Sequence, residues 1–516
     1  MWWSLAGALA LAATFCVQAL RASNAESLTW DEPSFASAGY TYLTLGDFRL
    51  NPSHPPLMQD LAALPLVLMG VRPPEADLDV FDEEDNPVVA YGEQLFFGAG
   101  NDPVRMARWM RLPAILLGTG LVFAVWAWGR RLFGPVAALL GAGAAAFCPN
   151  LLAHGHLATE DVGCSALMFV AIWTLWRATH GGSVGAWLVC GLATGLALIA
   201  KYTALLLGPI DLLLAGWVLA SRRSPATARA LAAGGAAIVV LSALVVAAAY
   251  GPPFGLATYV QGMSRIYTDM SSGNSFYLLG EVSAQPWWYY HLVALALKTP
   301  VPTLALVAWA AARALRDPAR RDTAVFLLVP AGTVLLTSCF DQLNIGVRRV
   351  LPAVPFLLAL VPAAVAGARG RLAPMLATAL VLGTAVEVTA LHPHYLSYFN
   401  RLAGGPANGP FLLDDSNLDW GQDLPALARW QVAHPDARPM RLLYFGMADP
   451  AAYGVDADMM EPAEIFAPRP GWYAVSVHQL VWFRKIARST GHDVDWLVRY
   501  QPVERAGWSI WLYRFD

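Results

Sequence analysis

The sequence predicts an all-α polytopic membrane protein with a small α/β domain outside the membrane at its C-terminal end. Three observations predict it. Of 516 residues, 57% are hydrophobic and only 14% charged, against roughly 45–50% and about 25% in soluble domains, and mean hydropathy is +0.46. Apolar runs of roughly 17 to 23 residues, the length a bilayer demands, recur as far as residue 391. From residue 393 the pattern changes to short strand-like runs and helical stretches bounded by Pro and Gly. The formal net charge of -3 says nothing about nucleic acid, and no basic cluster suggests it. Cys16, Cys148, Cys164, Cys190 and Cys339 all fall in or beside apolar runs, so they read as small hydrophobes and not as a disulfide framework.

The run over residues 1–20 has no positive n-region and is followed by a poor small-x-small cleavage site, so it reads as a retained first span. Further runs near 112–129, 135–152, 162–177, 184–200, 203–220, 229–250, 288–311, 324–340, 350–367 and 372–391 bring the expectation to about eleven helices. Short cytoplasmic loops are enriched in Lys and Arg. Alternate connections carry Arg130/Arg131, Arg177, Arg222/Arg223/Arg229, Arg313/Arg316/Arg320/Arg321 and Arg369/Arg371, which places those loops and the N-terminus inside and the C-terminal segment outside.

With that orientation, every polar cluster suited to chemistry lands on the outer side: Asp31/Glu32 and His54, residues 154–161, Lys201, residues 251–287, Asp341 to Arg349, and the tail from His392. Ionisable residues at a membrane face mark substrate or ion pathways.

The first external loop, 21–111, is too long for a connector. Pro33 follows the acid pair and suits a first helical turn. Phe35, Tyr40, Tyr42 and Leu43, then LMQDLAALPLVLMG after Pro55-Pro56, give two amphipathic stretches expected to lie in the interface plane, with an acidic, solvated excursion over 75–85. In the second loop His154, His156, Glu160 and Asp161 are spaced closely enough to ligate a divalent metal, although Thr159 or Asp161 serves equally as a helix cap. The Gly/Ser-rich 251–287 region, which contains Arg265 and ends in the aromatic run Trp287-Trp288-Tyr289-Tyr290, suits a mobile lid. Lys298 lies in an apolar run, where it must snorkel or pair. Arg348 and Arg349 are placed either to clamp a phosphate or to anchor at the interface. In the tail, Asp415, Asn417 and Asp419 alternate as in a calcium loop, but Trp420 stands where that loop needs Gly and Ala426 where it needs Glu, so an Asx-turn fits better. RLLYFGM, WYAVSVHQ, WLVRYQPV and WSIWLYRF read as strands, with helices near 422–433 and 479–490.

The acid pair after the first span, followed by His54-Pro55-Pro56-Leu57, resembles the polyprenol-phosphate-sugar-dependent glycosyltransferases of the GT-C fold, specifically the protein O-mannosyltransferase and aminoarabinose-transferase superfamily (glycosyltransferase family 39 and its bacterial relatives). GLATGLALIAKYTALLL, Lys298-Thr299-Pro300, GVRRVLPAVPF, SYFNRLAGGPANG and SNLDWGQDL are similar to a bacterial branch, and the likeness spans nearly the whole chain. The resemblance implies Asp31 as catalytic base with Glu32 beside it, and Asp161, preceded by Glu160, as the second acidic position. It implies Lys201, Arg348 and Arg349 as ligands of the lipid phosphate and His54 near the donor. Arg265 joins them as a donor-binding candidate. Asn400, Asp415, Asp419, Trp420 and Gln422 stand as acceptor or structural residues, as does Glu160, and the acceptor is left as a glycan, lipid or protein. Met58-Gln59 replaces the Gly-Lys that follows HPPL in eukaryotic members, and no sugar-binding domain interrupts a loop.

The chemistry suits those residue types. Displacing a polyprenyl phosphate from an anomeric carbon builds positive charge on the sugar and negative charge on the leaving phosphate. Fixed cations stabilise the phosphate, a carboxylate takes the acceptor proton, and a single displacement inverts the anomeric centre. No cofactor is then required; a divalent metal, with His154 and His156 as its weak candidates, is the only one the residues suggest. The competing class is a transporter or flippase, which calls for inverted repeats and ionisable residues near the bilayer midplane; the sequence displays neither. Ala, Arg and Gly enrichment is compatible with a bacterial inner membrane.

Overall fold

Seven helices among the described residues are long and apolar enough to cross a membrane: Trp2–Ala25 (α1), Pro103–Phe133, Asp161–Thr179, Tyr202–Arg222, Pro225–Tyr250, Val347–Ala364 and Leu372–Thr389. The computed structural model describes residues 2–75, 78–81, 84–251, 255–269 and 275–516. The protein is an integral membrane protein. Two helix pairs meet the same criterion only together, Ala138–Ala146 with Pro149–Gly155, bent by 55°, and Tyr290–Lys298 with Val301–Arg316, bent by 113°. By length and composition the described spans therefore number seven to nine, where the apolar runs suggest about eleven. Val184–Leu198 has 15 residues, about 22 Å of helix against a hydrocarbon core of about 30 Å. Arg321–Ser338 opens on Arg321 and Asp322.

Both bends have a local cause. Proline excludes the preceding residue from the helical region, and Cys148 (ψ 114°) and Thr299 (ψ 132°) are extended before Pro149 and Pro300. Carbonyls freed at the sharper bend find donors in Asn400, whose Nδ2 reaches the oxygens of Ala296 (2.6 Å) and Thr299 (2.9 Å). Asn150 Nδ2 joins the two bends by donating to the Lys298 carbonyl at 3.0 Å. Lys298 itself is buried; its ammonium donates to the carbonyls of Leu396 and Asn417 and lies 4.6 Å from the Phe399 ring centroid.

The first loop forms α2 (Asp31–Leu45) and α3 (Pro56–Leu68), packed so closely that a Cβ on Gly39 would stand 2.0 Å from the Gln59 carbonyl oxygen. Leu43, Leu45, Leu64 and Leu68 remain exposed. The acidic stretch 75–85 and the 251–287 region are described only in part, residues 76–77, 82–83, 252–254 and 270–274 lying outside the described residues. What is described of the latter is a helix, Gly255–Asp269, and an antiparallel hairpin, β1 (Phe276–Leu278) and β2 (Glu281–Ser283).

The C-terminal segment carries a five-stranded sheet of β3 (Met440–Leu443), β4 (Asp458–Met459), β5 (Gly471–Ser476), β6 (Glu504–Ala506) and β7 (Ile510–Phe515), in the order β4-β3-β5-β7-β6. β3 runs parallel to β4 and β5, whereas β7 is antiparallel to β5 and β6, with Tyr473 opposite Tyr513. Helices Leu424–Ala433 and Val477–Thr490 sit where expected. The run WLVRYQPV does not form a strand: Trp496–Arg499 is a helical turn. Its indole is buried among Tyr473, Phe483, Tyr500, Tyr513 and Phe515 and donates to the Ile465 carbonyl at 2.9 Å, so aromatic packing outweighs the β pattern.

Candidate active site

The acid pair splits into two roles at the start of α2. Glu32 is fully buried; Arg111 Nε meets its Oε1 at 2.7 Å and Arg111 Nη2 its Oε2 at 2.6 Å. The backbone amides of Thr29 (2.9 Å) and Ala158 (2.8 Å) and the Thr29 hydroxyl complete its shell. Burial alone raises its pKa, but the Arg111 charge and these donors outweigh it and hold the carboxyl below its ordinary value. Glu32 is therefore a buried clamp between the first loop, the Pro103–Phe133 helix and the 154–161 turn. Asp31 is the open member: its side chain keeps 23% exposure, and its Oδ2 accepts from Arg348 Nη1 at 2.8 Å.

Arg348 is set by a close joint between the 345–348 turn and the 414–420 segment. Ser416 Oγ donates to the Ile345 carbonyl (2.9 Å), and Asn417 Oδ1 accepts from the Val347 amide (3.0 Å). A Cβ at position 346 would stand 2.2 Å from Ser416 Oγ, so the joint needs Gly346. The Arg348 guanidinium lies 4.4 Å above the Trp420 ring. Its Nε is buried and meets no acceptor among the described residues.

A second cluster abuts the first. Lys201 Nζ contacts Asp161 Oδ1 at 2.6 Å and Glu160 Oε1 at 2.9 Å, and His54 Nδ1 lies 3.1 Å from Glu160 Oε2. Burial pushes Glu160 up, but Lys201 and His54 override it and hold the carboxyl at about 2. Burial disfavours the Lys201 charge, yet Asp161 and Glu160 more than compensate and raise its pKa, against an opposing contribution from the nearby Arg348. Three carboxylates and two permanent cations thus share one partly open site, with His54, resting on Phe35 at 4.9 Å, at its edge.

Residues 87–248 match the family model described as dolichyl-phosphate-mannose-protein mannosyltransferase. The whole chain is similar to ArnT from Cupriavidus metallidurans in the apo state, with TM-score 0.52, 13% identity, and coverage of 97% of this chain and 96% of that one. Against ArnT bound to undecaprenyl phosphate the values are 0.51 and 12%, with the same coverage. The apo oligosaccharyltransferase of Archaeoglobus fulgidus gives 0.52 and 14% over 97% of this chain and 73% of that one. No curated protein matches. The chain has the GT-C fold.

Within this GT-C fold the other candidates make no hydrogen bond to Asp31, Arg348 or Lys201 among the described residues, although Asp415 lies near Arg348 and His154 near Asp161. Arg349 forks onto Asp341, with Nη2 to Oδ1 at 3.0 Å and Nε on Oδ2, while His291 Nε2 approaches the same carboxylate at 3.5 Å; Asp341, which burial alone would raise, is held at about 2 by His291 and Arg349. Of the adjacent arginines only Arg348 borders the Asp31 carboxylate. His156 Nε2 is 2.7 Å from Glu26 Oε2, whereas His154 packs against the Trp420 edge; among the described residues no three His, Cys, Asp or Glu side chains gather as a metal site. Asn400 caps the bent span. Gln422 joins the Trp420 amide (2.8 Å) to the Leu418 carbonyl (2.9 Å). Asp419 accepts from the amides of His478 (2.8 Å) and Gly421 (3.1 Å), and burial lifts its pKa to about 7. Asp415 adopts φ +58° and accepts from the Ser416 amide, an Asx-like local bond. Arg265 is exposed on the Gly255–Asp269 helix. Arg111 and His478 were not singled out by sequence. Arg111 carries a signal after the fact, a cation near the start of a span facing a loop with one acid too many; His478 sits in a strand-to-helix turn with none.

Proposed function

We propose that the protein transfers a sugar from a polyprenyl-phosphate donor to an acceptor hydroxyl at the outer face of the membrane, with inversion. The observation that carries the reading is that Arg348 touches Asp31 while keeping a buried Nε–H, unpartnered among the described residues, beside the Lys201 cluster. Arg348 has donors left after Nη1 is engaged, and Lys201 has one N–H left after its two carboxylates. A phosphate oxygen seated on that edge completes both hydrogen-bond sets, and the cations stabilise the charge that grows on the leaving group. Asp31, with part of its carboxylate open, takes the proton of the attacking hydroxyl. Asp161 and Glu160 hold Lys201 in place and charged, and His54 orients Glu160. The phosphate leaves into a basic cradle, so the reaction asks for no metal. The ArnT relative was captured with undecaprenyl phosphate, and a ligand of that class would lay its tail between helices with its phosphate at the level of Lys201 and Arg348. The acceptor side lies outside, in a bacterial inner membrane toward the periplasm.

The test is release of polyprenyl phosphate from labelled polyprenyl-phosphate sugars by purified protein, with membrane extract supplying acceptors, compared with Asp31→Asn. Turnover that disappears in the variant while donor binding persists supports the reading. Full activity in Asp31→Asn, or no turnover with any such donor, overturns it.

A further inference from the structure

We propose that Trp420, from the segment after the last span, is the positioning residue that brings Asp31 and Arg348 into register for transfer. The proposal rests on the donor chemistry given above and deepens it.

Asp31 and Arg348 belong to segments 317 residues apart, and both are referenced to this one residue. The Trp420 carbonyl accepts from the amide of Trp30, the residue immediately before Asp31, at 3.0 Å, which fixes where α2 starts. The Trp420 indole lies under the Arg348 guanidinium at 4.4 Å, which fixes the plane of that group. An arginine side chain loses rotamer freedom on ordering. A cation over a desolvated indole recovers a comparable amount, so the face pre-orders Arg348 before any substrate arrives. With its plane set, Nη1 reaches Asp31 and Nε stays without an acceptor among the described residues.

Trp420 is itself held on both flanks. Its amide donates to Gln422 Oε1, whose amide nitrogen returns to Leu418. Gly421, at φ +90°, accepts from Ser27 Oγ (2.7 Å) and from Tyr444 OH (2.6 Å). Ser27 donates its own amide to the Gln422 carbonyl at 2.9 Å. An indole placed only to fill the core needs no cation on its face, and the backbone carbonyl of the same residue ties it to the start of α2. The segment that carries Trp420 is thus part of the active centre.

The experiment compares full-length Trp420→Phe, which keeps an aromatic face, with Trp420→Leu, which keeps bulk without one. Readouts are unfolding temperature, undecaprenyl phosphate affinity by native mass spectrometry, and the kcat, KM and pH profile of donor turnover. Expected are similar unfolding temperatures for the two variants, affinity at least about fivefold weaker in Trp420→Leu, and affinity within about twofold of wild type in Trp420→Phe. Turnover follows the same order, with kcat falling at least tenfold and the acid limb of its pH profile moving in Trp420→Leu only. Equal losses in both variants that track unfolding temperature overturn the proposal. If the wild type binds undecaprenyl phosphate but turns over no donor, the transferase reading fails alone and the affinity comparison still decides the role of Trp420. If the wild type does not bind this lipid, both fall.

Discussion

Arg348 Nη1 stands 2.8 Å from Asp31 Oδ2, so the carboxylate assigned to the acceptor proton touches the cation assigned to the leaving phosphate. In the proposed transfer, a proton passing from the acceptor hydroxyl to Asp31 would quench the charge of that carboxylate and release Arg348 to serve the charge growing on the phosphate. Removing either partner therefore disturbs both halves of the transfer.

Asp31→Asn keeps the shape and an acceptor oxygen but cannot take a proton. Its kcat is expected to fall by about 10²–10⁴, the usual contribution of a positioned base, with donor affinity within a few fold. Single-turnover assays with saturating donor check this; a drop confined to KM would assign Asp31 to donor binding instead.

Adjacent arginines are expected to part company. Arg348→Lys retains charge but loses the planar fork, so donor KM rises and kcat falls while unfolding temperature holds. Arg349→Lys weakens the grip on Asp341 and leaves that half-buried carboxylate poorly satisfied, at a cost of about 1 kcal/mol, so unfolding temperature falls with donor KM unchanged. Measuring both quantities on both variants separates a ligand from an anchor.

What was legible in advance follows from what composition and spacing encode. Apolar run length gives the membrane class, and the grouping of Asp31, His54, Glu160, Asp161, Lys201 and Arg348 follows from loop order and charge asymmetry, as each sits at the end of a span or in a loop. Partners across long separations were not legible. Glu32 and Arg111 lie 79 residues apart, and adjacent residues such as Arg348 and Arg349 diverge only once a helical turn has sent their side chains different ways. Pro149 and Pro300 were visible, but a bend of 113° depends on Asn400 and Asn150 being there to take the freed groups.

Glu32→Gln removes the charge that compensates a fully buried Arg111. Breaking a buried pair at one end costs about 3–5 kcal/mol, so low yield or a large fall in unfolding temperature is expected, and Arg111→Met with Glu32→Gln together should recover part of it. A stable Glu32→Gln protein that had lost only turnover would return Glu32 to the catalytic set.

His478 gives the C-terminal segment a pH dependence of known sign. Its ring lies between Phe445, at 3.9 Å, and the carboxylate of Asp414, which Nδ1 approaches at 2.9 Å; Lys485 shares Asp414 at 3.1 Å, and Asp415 and Asp419 are close by. Burial lowers the His478 pKa, but Asp414 outweighs it and carries the imidazole up to about 9, against about 6.5 in an unfolded chain. A group whose pKa is raised on folding stabilises the fold fully below its unfolded value and loses that contribution as pH rises through its folded value. Unfolding temperature should therefore decline between about pH 6.5 and 9 on this account. Lysines and tyrosines titrate nearby, so the decisive quantity is the difference between wild type and His478→Gln: large at pH 6, shrinking toward zero by about pH 10. A difference constant across that range would mean that the ring contributes by packing on Phe445 alone.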